Sequence, residues 1–283
     1  MKIRNKQLEA TVVPFGAELQ SVVDSSNKHE YIWQANPDVW PRHAPVLFPI
    51  VGRLKEDTYS IGEAKYNLNQ HGFARNSDFS PVKWNESEVI FKLSESDETA
   101  SQYPYKFDFH VGYRLEERSL FMTFEVTNHD DRPMPVSYGA HPAFNTKPVD
   151  GYVLRFEKEE YALSQAVVNG IRDTSERAFF EGNMIRLSKS IFDYDALIFE
   201  NLKSSYVDIM NRQGKTEVRV HIKSFPYLGI WAKPGADYVC IEPWCGIADK
   251  QSHNGQIFEK EGVMVLQPEQ KISHEMRIDF PAS

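Results

Sequence analysis

The sequence predicts an all-β fold, an antiparallel sandwich or barrel that occupies residues 1–283 as one domain. Apolar and polar side chains alternate with the period of a half-buried strand along much of the chain. Turn-forming residues recur at short intervals, and no stretch has the apolar period of a long amphipathic helix. The alternation predicts strands, but it does not distinguish a sandwich from a barrel.

The clearest strands are predicted at residues 120–126, 134–138, 152–156, 207–210, 218–222, 228–232, 238–242 and 275–280. Residues 211–215 and 234–237 have the composition of hairpin turns. Pro243 lacks the N–H that a strand ladder needs, so we expect the strand beginning at Tyr238 to end at Glu242. Helix is limited to single turns near residues 37–39 and 99–105.

The composition is that of a globular protein with an excess of acidic residues. Hydrophobic residues make up 41%, and 40 acidic against 32 basic residues give a net charge of −8. This charge opposes binding to nucleic acid or to an anionic membrane. No run approaches the roughly 20 apolar residues of a membrane helix, and no apolar signal-peptide stretch follows the first ten residues. We expect a cytoplasmic protein, a monomer or homodimer, that binds neither nucleic acid nor a membrane.

An apolar, proline-rich segment, residues 43–52, has an arginine at each end. Such a segment is expected to be buried or to line a pocket, so Arg42 and Arg53 must find partners or reach solvent. Arg53 could point into the pocket and donate to a substrate oxygen. Both could equally be surface arginines.

Two histidines stand where the backbone is restricted or unusually free. His71 precedes Gly72, which allows backbone or a ligand to approach closely. His141 precedes Pro142, which holds it in extended geometry and so fixes the direction of its ring. Either histidine could also be purely structural.

Glu242 lies inside an apolar strand pattern, directly before Pro243 and Trp244. Burying a carboxylate costs several kcal/mol unless it is hydrogen-bonded or used in catalysis. A buried, catalytic Glu242 is therefore one interpretation. A glutamate on the solvent face of the strand fits the same pattern.

The motifs of several other enzyme classes are absent from the sequence. It has no H-x-H, H-E-x-x-H or cysteine cluster, no G-x-S-x-G elbow, and no dinucleotide or P-loop signature. Cys240 and Cys245 are too few for a disulfide framework and are predicted to be ordinary thiols. We expect no metal and no cofactor, although His71, His141 and Glu242 could still meet in space as a zinc site.

Taken in order, these segments resemble the aldose 1-epimerase (galactose mutarotase-like) superfamily, and most of all its short LacX-like branch. The resemblance covers nearly the whole chain, from residues 16–19 (GAEL) to residues 266–270 (LQPEQ). The order, spacing and joint presence of the motifs carry it, rather than any one of them. It implies a large antiparallel β-sandwich with few short helices and a site on its concave face.

The resemblance also implies a role for five residues. Glu242 matches the family's general base and His141 its general acid. His71 matches a histidine that helps to hold the ring oxygen, and Arg53 an arginine that contacts the sugar. Asp195 is the nearest match to an aspartate that binds a sugar hydroxyl.

At two positions next to the implied sugar site, the sequence differs from the family's usual pattern. Phe73 follows His71-Gly72 where a second glycine is frequent, and Pro243-Trp244 follows the base where Thr-Gln is frequent. Galactose specificity therefore does not carry over. Trp244, and after it Phe73 or Trp231, could stack on the C–H face of a sugar, or these rings could belong to the core.

A sister branch that acts on hexose 6-phosphates has similar arginines. Arg42 and Arg75 could then clamp a phosphate, since guanidinium groups bind it in bidentate fashion. Arg42 could instead pair with an acidic neighbour such as Asp38 or Glu56. Of the two substrates, the sequence favours a neutral sugar.

These residue types suit anomerisation, in which a base removes the C1 hydroxyl proton while an acid protonates the ring oxygen. We expect Glu242 and His141 on opposite sides of the hemiacetal. The reference pKa values, about 4.3 for Glu and about 6.5 for His, give the needed order, and a nearby carboxylate should raise the pKa of the histidine. The alternatives are a non-catalytic sugar-binding protein on the same fold and a metal-dependent enzyme.

Overall fold

The predicted alternation produces a structure made almost entirely of strands. The computed structural model describes residues 1–282. In chain order the strands are β1 Lys2–Arg4, β2 Leu8–Val12, β3 Leu19–Asp24, β4 Val46–Leu47, β5 Thr58–Ile61, β6 Ala64–Asn67, β7 Ser80–Trp84, β8 Glu88–Ser94, β9 Phe107–Glu116, β10 Ser119–Asn128, β11 Met134–Val136, β12 Tyr138–Ala140, β13 Ala143–Asn145, β14 Val153–Phe156, β15 Ser164–Val168, β16 Ile171–Arg177, β17 Met184–Arg186, β18 Leu197–Glu200, β19 Tyr206–Met210, β20 Thr216–His221, β21 Tyr227–Trp231, β22 Tyr238–Cys245, β23 Met264–Leu266 and β24 Lys271–Asp279.

Helix is confined to short pieces, as the sequence predicts. The α-helix α1 spans Asp97–Gln102, two residues earlier than the predicted turn. It begins there because Ser96 and Thr99 form a reciprocal capping box at its N-terminus. Single 3₁₀ turns lie at Lys55–Asp57, Ala74–Asn76 and Ile257–Glu259. Within residues 1–282, no helix combines the length and apolar character needed to cross a membrane.

Two large antiparallel sheets form the body of the molecule. One has nine strands in the order β17-β14-β19-β20-β24-β10-β9-β8-β7. The other has eight, in the order β16-β15-β18-β21-β22-β12-β4, with β13 also pairing with β22. Tyr138 of β12 packs against Phe109 and Phe124 of the nine-stranded sheet, with ring centroids 6.2 and 5.8 Å apart. The sheets therefore face each other, and the predicted sandwich is confirmed.

Three small sheets accompany the two large ones. They are β1-β2-β3, β5-β6 and β11-β23. In β9 and β10 every second residue is buried, so one face of the nine-stranded sheet packs on the core. In β22 every residue is buried, so this strand is covered on both of its faces.

The end predicted for the strand at Glu242 is wrong, because β22 continues through Pro243 to Cys245. Ile241 donates its N–H to the carbonyl of Pro142 at 3.3 Å, toward the neighbouring β12 and β13. Donors on one side of a strand recur at every second residue, so the nitrogen of Pro243 faces the same side. The ladder there is interrupted between β12 and β13, and a missing donor is tolerated.

Candidate active site

The register of β22 places its even-numbered residues on the outer face of the eight-stranded sheet. Tyr138, which packs inside the sandwich, pairs with Cys245. Side chains alternate between faces, so Glu242 and Trp244 point the opposite way, out of the sandwich. The chain between β12 and β13 runs antiparallel to β22, so His141 lies opposite Glu242.

A cavity of about 370 Å³ opens in front of this face. Among the residues predicted from the sequence, those that line it are Arg53, His71, Arg75, His141, Asp195, Trp231, Glu242 and Trp244. The fold thus brings together side chains that lie up to 191 positions apart in the chain. Phe73 and Arg42 are not part of the lining.

Glu242 and His141 form a buried pair at the wall of the cavity. Glu242 is 1% and His141 8% exposed, and Nε2 of the imidazole lies 3.1 Å from Oε2 of the carboxylate. This contact does not have the geometry of a hydrogen bond, and within residues 1–282 neither Oε2 of Glu242 nor Nδ1 of His141 makes one. The expectation that the two groups flank a hemiacetal is wrong, since they lie side by side. They can still serve both reacting oxygens, because O1 and the ring oxygen are bonded to the same carbon.

Burial reverses the expected order of the two pKa values. Desolvation, followed by the charge of Asp195, raises the pKa of Glu242 well above its ordinary value. Desolvation, together with the positive charges of Arg75 and Arg42, lowers the pKa of His141 to about 3. The expected upward shift of the histidine is therefore wrong, because burial outweighs the neighbouring carboxylate. Both shifts favour a protonated Glu242 beside a neutral His141 in the free site.

His71 is held in an unusual backbone conformation, with φ at 66°. A side chain at the next position is impossible, because a Cβ on Gly72 would lie 2.2 Å from the carbonyl oxygen of Phe48. The ring accepts the N–H of Gly52 at Nδ1, at 3.2 Å. Burial and the neighbouring His141 hold the pKa of His71 well below its ordinary value. The neutral ring therefore carries its hydrogen on Nε2. This atom lies 3.3 Å from the side-chain amide of Gln70, and its hydrogen can be donated to a ligand that displaces this contact.

Arg53 lies at the edge of the cavity with its guanidinium already engaged. Its Nε and Nη2 donate to the two carboxylate oxygens of Asp57 at 2.8 and 2.6 Å. Its Nη1 donates to the carbonyl of Asn169 at 3.1 Å, in the turn between β15 and β16. The side chain packs on Gly170, where a Cβ would lie 3.0 Å from Cδ of the arginine. Arg53 therefore fixes one rim of the cavity.

Asp195 faces the same cavity from another loop. Its φ is 93°, and its Oδ1 accepts the N–H of Ala196 at 2.8 Å. Burial raises the pKa of this carboxyl group. The loose sequence match thus corresponds to a carboxylate that lies in the cavity wall and influences Glu242.

Aromatic rings surround the acid–base pair. Trp40 stacks on His141 with ring centroids 5.2 Å apart, and Trp231 meets the same imidazole edge-on at 5.8 Å. The indole of Trp244 lies over Gly229, where a Cβ would be 2.4 Å from the ring. Its Nε1 is buried and has no partner within the described chain. These rings offer flat apolar surface of the kind that contacts sugar C–H groups.

Phe73 and Arg42 lie outside the cavity lining. The ring of Phe73 packs in the core, 5.8 Å from Phe48 and 6.1 Å from Phe107. Arg42 donates to Oδ1 of Asn76 at 2.9 Å and to the carbonyl of Arg75 at 3.4 Å, rather than to Asp38 or Glu56. The structure therefore gives Phe73 a core position instead of the sugar-facing one suggested for it.

Arg75 reaches the cavity and keeps part of its donor capacity free. It donates one Nη2 hydrogen bond to the carbonyl of Gln70 at 2.8 Å, while its buried Nε has no partner within residues 1–282. Burial and the charge of Arg42 lower its pKa to about 10. Two neighbouring guanidinium groups thus stand without a carboxylate partner in the described part of the chain.

Three of the polar or aromatic lining residues were not predicted: Trp40, Gln70 and Asn169. Gln70 belongs to the same motif as His71, and Asn169 to an Asn-Gly turn, so both had a local signal. Trp40 had none beyond its position before Pro41. Its stacking on His141 depends on a contact between distant parts of the chain.

Comparisons with known proteins identify the family of the chain. The family model described as aldose 1-epimerase matches residues 1–279. The chain is 31% identical to the plasmid-borne protein LacX of Lactococcus lactis subsp. lactis over 95% of each chain.

Solved structures from lactobacilli share the whole fold. A galactose mutarotase related enzyme from Lactobacillus acidophilus superposes with a TM-score of 0.95 at 34% identity, over 100% of this chain and 97% of that one. A galactose mutarotase-like protein from Lactobacillus casei gives 0.94 at 29% identity, over 99% of both chains. Because the family model matches almost its entire length, the chain belongs to the aldose 1-epimerase family.

Proposed function

We propose that this protein interconverts the α and β anomers of a hexose by opening and reclosing the ring. The observation that carries the proposal is the buried contact of 3.1 Å between Glu242 and His141, in which Oε2 of the carboxylate has no hydrogen-bond partner within residues 1–282. A buried polar group without a partner costs about 1–3 kcal/mol. A sugar hydroxyl entering the cavity would supply the missing donor.

In the proposed reaction the pair carries one proton in total. With Glu242 ionised and His141 protonated, the carboxylate takes the C1 hydroxyl proton and the imidazolium protonates the ring oxygen. The ring opens, and the proton is left on Glu242 beside a neutral His141. That is the form that burial favours in the free site. After rotation about C1–C2, the same steps run in reverse and close the ring.

The other lining groups would position the sugar and stabilise the charge that develops on it. His71 can donate from Nε2 to the ring oxygen, since its Nδ1 is occupied by Gly52. Asp195 would accept from a sugar hydroxyl. The indoles of Trp40, Trp231 and Trp244 would cover the C–H faces and exclude water, which strengthens every polar contact inside.

The test is saturation-transfer NMR between the anomers of glucose, galactose and glucose 6-phosphate. We expect catalysed exchange with at least one of them. A non-catalytic sugar-binding protein would change the sugar's line widths without raising the exchange rate above that of buffer. Absence of catalysed exchange over a broad panel of aldoses and their 6-phosphates would overturn the proposal.

A second candidate substrate, a hexose 6-phosphate, is favoured by one observation. Arg75 lines the cavity with an unpartnered, buried Nε, and the guanidinium of Arg42 stands behind it. A phosphate dianion would satisfy both groups through charge-assisted hydrogen bonds. The surplus of 8 negative charges over the whole chain would oppose a dianion only weakly, because salt screens exposed charges beyond about 8 Å at physiological ionic strength.

Arg75→Ala separates the two substrates. If the phosphate ester is the substrate, its kcat/KM should fall by about tenfold or more, with a strong salt dependence in the parent protein. If a neutral hexose is the substrate, kcat/KM for that sugar should be insensitive to salt. Arg212→Ala serves as the matched control. Arg212 lies in an exposed turn, where its Nε donates to the backbone carbonyl of Asp150, and the substitution removes the same charge.

A further inference from the structure

Cys240 belongs to the same face of the sheet as the proposed acid–base pair. It precedes Glu242 by two residues on β22, so the two side chains point the same way. Its strand neighbours are Trp231 and Ala143, and the thiol is fully buried. None of the proposed catalytic steps uses this thiol.

Three different donors converge at this point. One ligand atom each from His141, Cys240 and Glu242 lies within 4.8 Å of the other two, and all three residues are buried. The zinc site that the sequence left possible combined His71 with His141 and Glu242. In the structure the third member of the cluster is Cys240 instead. The unpartnered Oε2 of Glu242 and Nδ1 of His141 show that the cluster is not closed by other described side chains.

We propose that His141, Cys240 and Glu242 bind a thiophilic divalent cation of the Zn²⁺ class, and that this binding inhibits the protein. One sulfur, one nitrogen and one oxygen suit Zn²⁺, whereas Mg²⁺ and Ca²⁺ select oxygen ligands. Three protein ligands with a fourth position open to a cavity is the arrangement of an accessible zinc site rather than a closed structural one.

The donors need only small side-chain rotations to reach coordination distances. Tetrahedral zinc, with Zn–S about 2.3 Å and Zn–N or Zn–O about 2.0–2.1 Å, places its ligand atoms about 3.3–3.6 Å apart. The histidine and the carboxylate already lie at 3.1 Å, and all three donors fall within 4.8 Å. His141 and Glu242 line the cavity, so an ion can enter from the sugar side.

The charge and proton balance also suit a buried ion. When the cation binds, it takes the place of the S–H hydrogen of Cys240 and of the carboxyl hydrogen of Glu242 if Glu242 is protonated. These protons leave to solvent. No oxidation or reduction takes place. A divalent cation with one thiolate and one carboxylate is neutral overall, which avoids the cost of an uncompensated buried charge.

Inhibition follows because the ion takes the lone pairs that the proposed reaction needs. A coordinated carboxylate and imidazole cannot exchange protons with O1 and the ring oxygen. This part of the inference rests on the proposed function, whereas metal binding itself does not. The experiment therefore measures the two separately.

The binding test uses Co²⁺ as a spectroscopic substitute for Zn²⁺. We expect a thiolate-to-cobalt charge-transfer band in the near ultraviolet for the parent protein. Cys240→Ser and Cys240→Ala should lack the band. Calorimetry should show that their zinc affinity is reduced on the order of 100-fold or more, because substitutions of residues that only support a ligand already reduce metal affinity by about 10–100-fold. Cys245→Ser is the matched control, because Cys245 is equally buried on the opposite face of the same strand.

The inhibition test titrates Zn²⁺ against the anomer exchange rate. We expect inhibition that a chelator reverses in the parent and in Cys245→Ser, and exchange that resists zinc in Cys240→Ser.

A missing cobalt band in the parent, or a band that persists in both Cys240 variants, would overturn the metal site whether or not the protein is an epimerase. A cobalt band together with zinc-insensitive or zinc-stimulated exchange would overturn the inhibition alone. If no sugar is turned over, the spectra still decide the metal site, and only the proposed function fails.

Discussion

Two buried pairs in this protein each combine an acidic with a basic side chain, yet the two pairs differ in how many hydrogen bonds they make. The side chains of Lys260 and Asp249 are each 1% exposed. Nζ of the lysine donates to the carboxylate at 2.7 Å and to the carbonyl of Ile247 at 2.6 Å. Glu242 and His141 are also buried, but the carboxylate oxygen and the far ring nitrogen lack partners within the described chain. The polar atoms of the first pair all have hydrogen-bond partners within the described chain, whereas the second pair has atoms that can still form hydrogen bonds with a ligand.

This difference separates a structural pair from the proposed catalytic pair. The backbone N–H of Lys55 donates to the second oxygen of Asp249, so that pair joins two loops beside the cavity. Ion pairs of this kind hold a conformation, and removing one partner leaves a costly buried charge. An unsaturated pair costs stability in the free protein and gains its partners from the substrate.

The largest expected effect is on activity. Glu242→Gln and His141→Asn should each lower the anomer exchange rate by about 10²–10⁴-fold, the range typical of a general acid or base. Circular dichroism should show both variants folded. Turnover near that of the parent in either variant would remove that residue from its proposed role.

The saturated pair should respond in stability instead. Lys260→Met leaves Asp249 buried without its cation and should lower the free energy of unfolding by about 3–5 kcal/mol, measured by urea denaturation. Lys250→Met, which removes an exposed partner of Glu261, is the control and should cost no more than about 1 kcal/mol. Equal effects of the two substitutions would contradict the contrast between buried and exposed pairs.

A smaller effect of opposite sign is expected for Glu242→Gln in the same assay. The folded-state pKa of Glu242 is raised, so the folded protein binds more protons than the unfolded chain above pH 4.5. Stability is then lost as pH rises from the unfolded pKa through the folded one. Glutamine does not ionise, so the variant should gain about 1–2 kcal/mol near pH 8 and little near pH 4.

Glu63→Gln, at an exposed turn, is the control for that measurement and should show no such pH dependence. A Glu242→Gln variant that is less stable than the parent at pH 8 would mean that the carboxylate is stabilised by the fold, and the two buried pairs would not differ in kind.

The smallest expected effect is none at all. Dialysis against a strong chelator should leave the exchange rate unchanged, because the proposed steps need only a base and an acid. Loss of activity that one divalent ion restores would instead identify the cluster around Glu242 as a metal-dependent centre.

The fold was largely predictable because it depends on local signals. Period-two alternation and hairpin turns predicted the strands, and only long-range packing such as that of Tyr138 decided for a sandwich. Pro243 misled the prediction of the end of β22, since its nitrogen faces a break in the ladder that the sequence does not reveal.

The residues of the site were predictable as types and positions, but their energetics were not. Glu242 and His141 were identified from their motifs, while the shifts in their pKa values arise from burial by residues such as Trp40 that are distant in sequence. Phe73 and Arg42 were suggested by their neighbours in sequence. Which way a side chain points depends on the three-dimensional path of the loop that carries it.

The aromatic wall gives the protein a built-in optical reporter. Three of its five tryptophans, Trp40, Trp231 and Trp244, line the cavity, while Trp84 lies largely exposed on β7 and Trp33 outside the lining. A sugar that enters the cavity displaces water from most of the indole groups in the molecule at once. Intrinsic fluorescence can therefore follow occupancy without a label, including in Glu242→Gln, where a sugar could be held without being turned over.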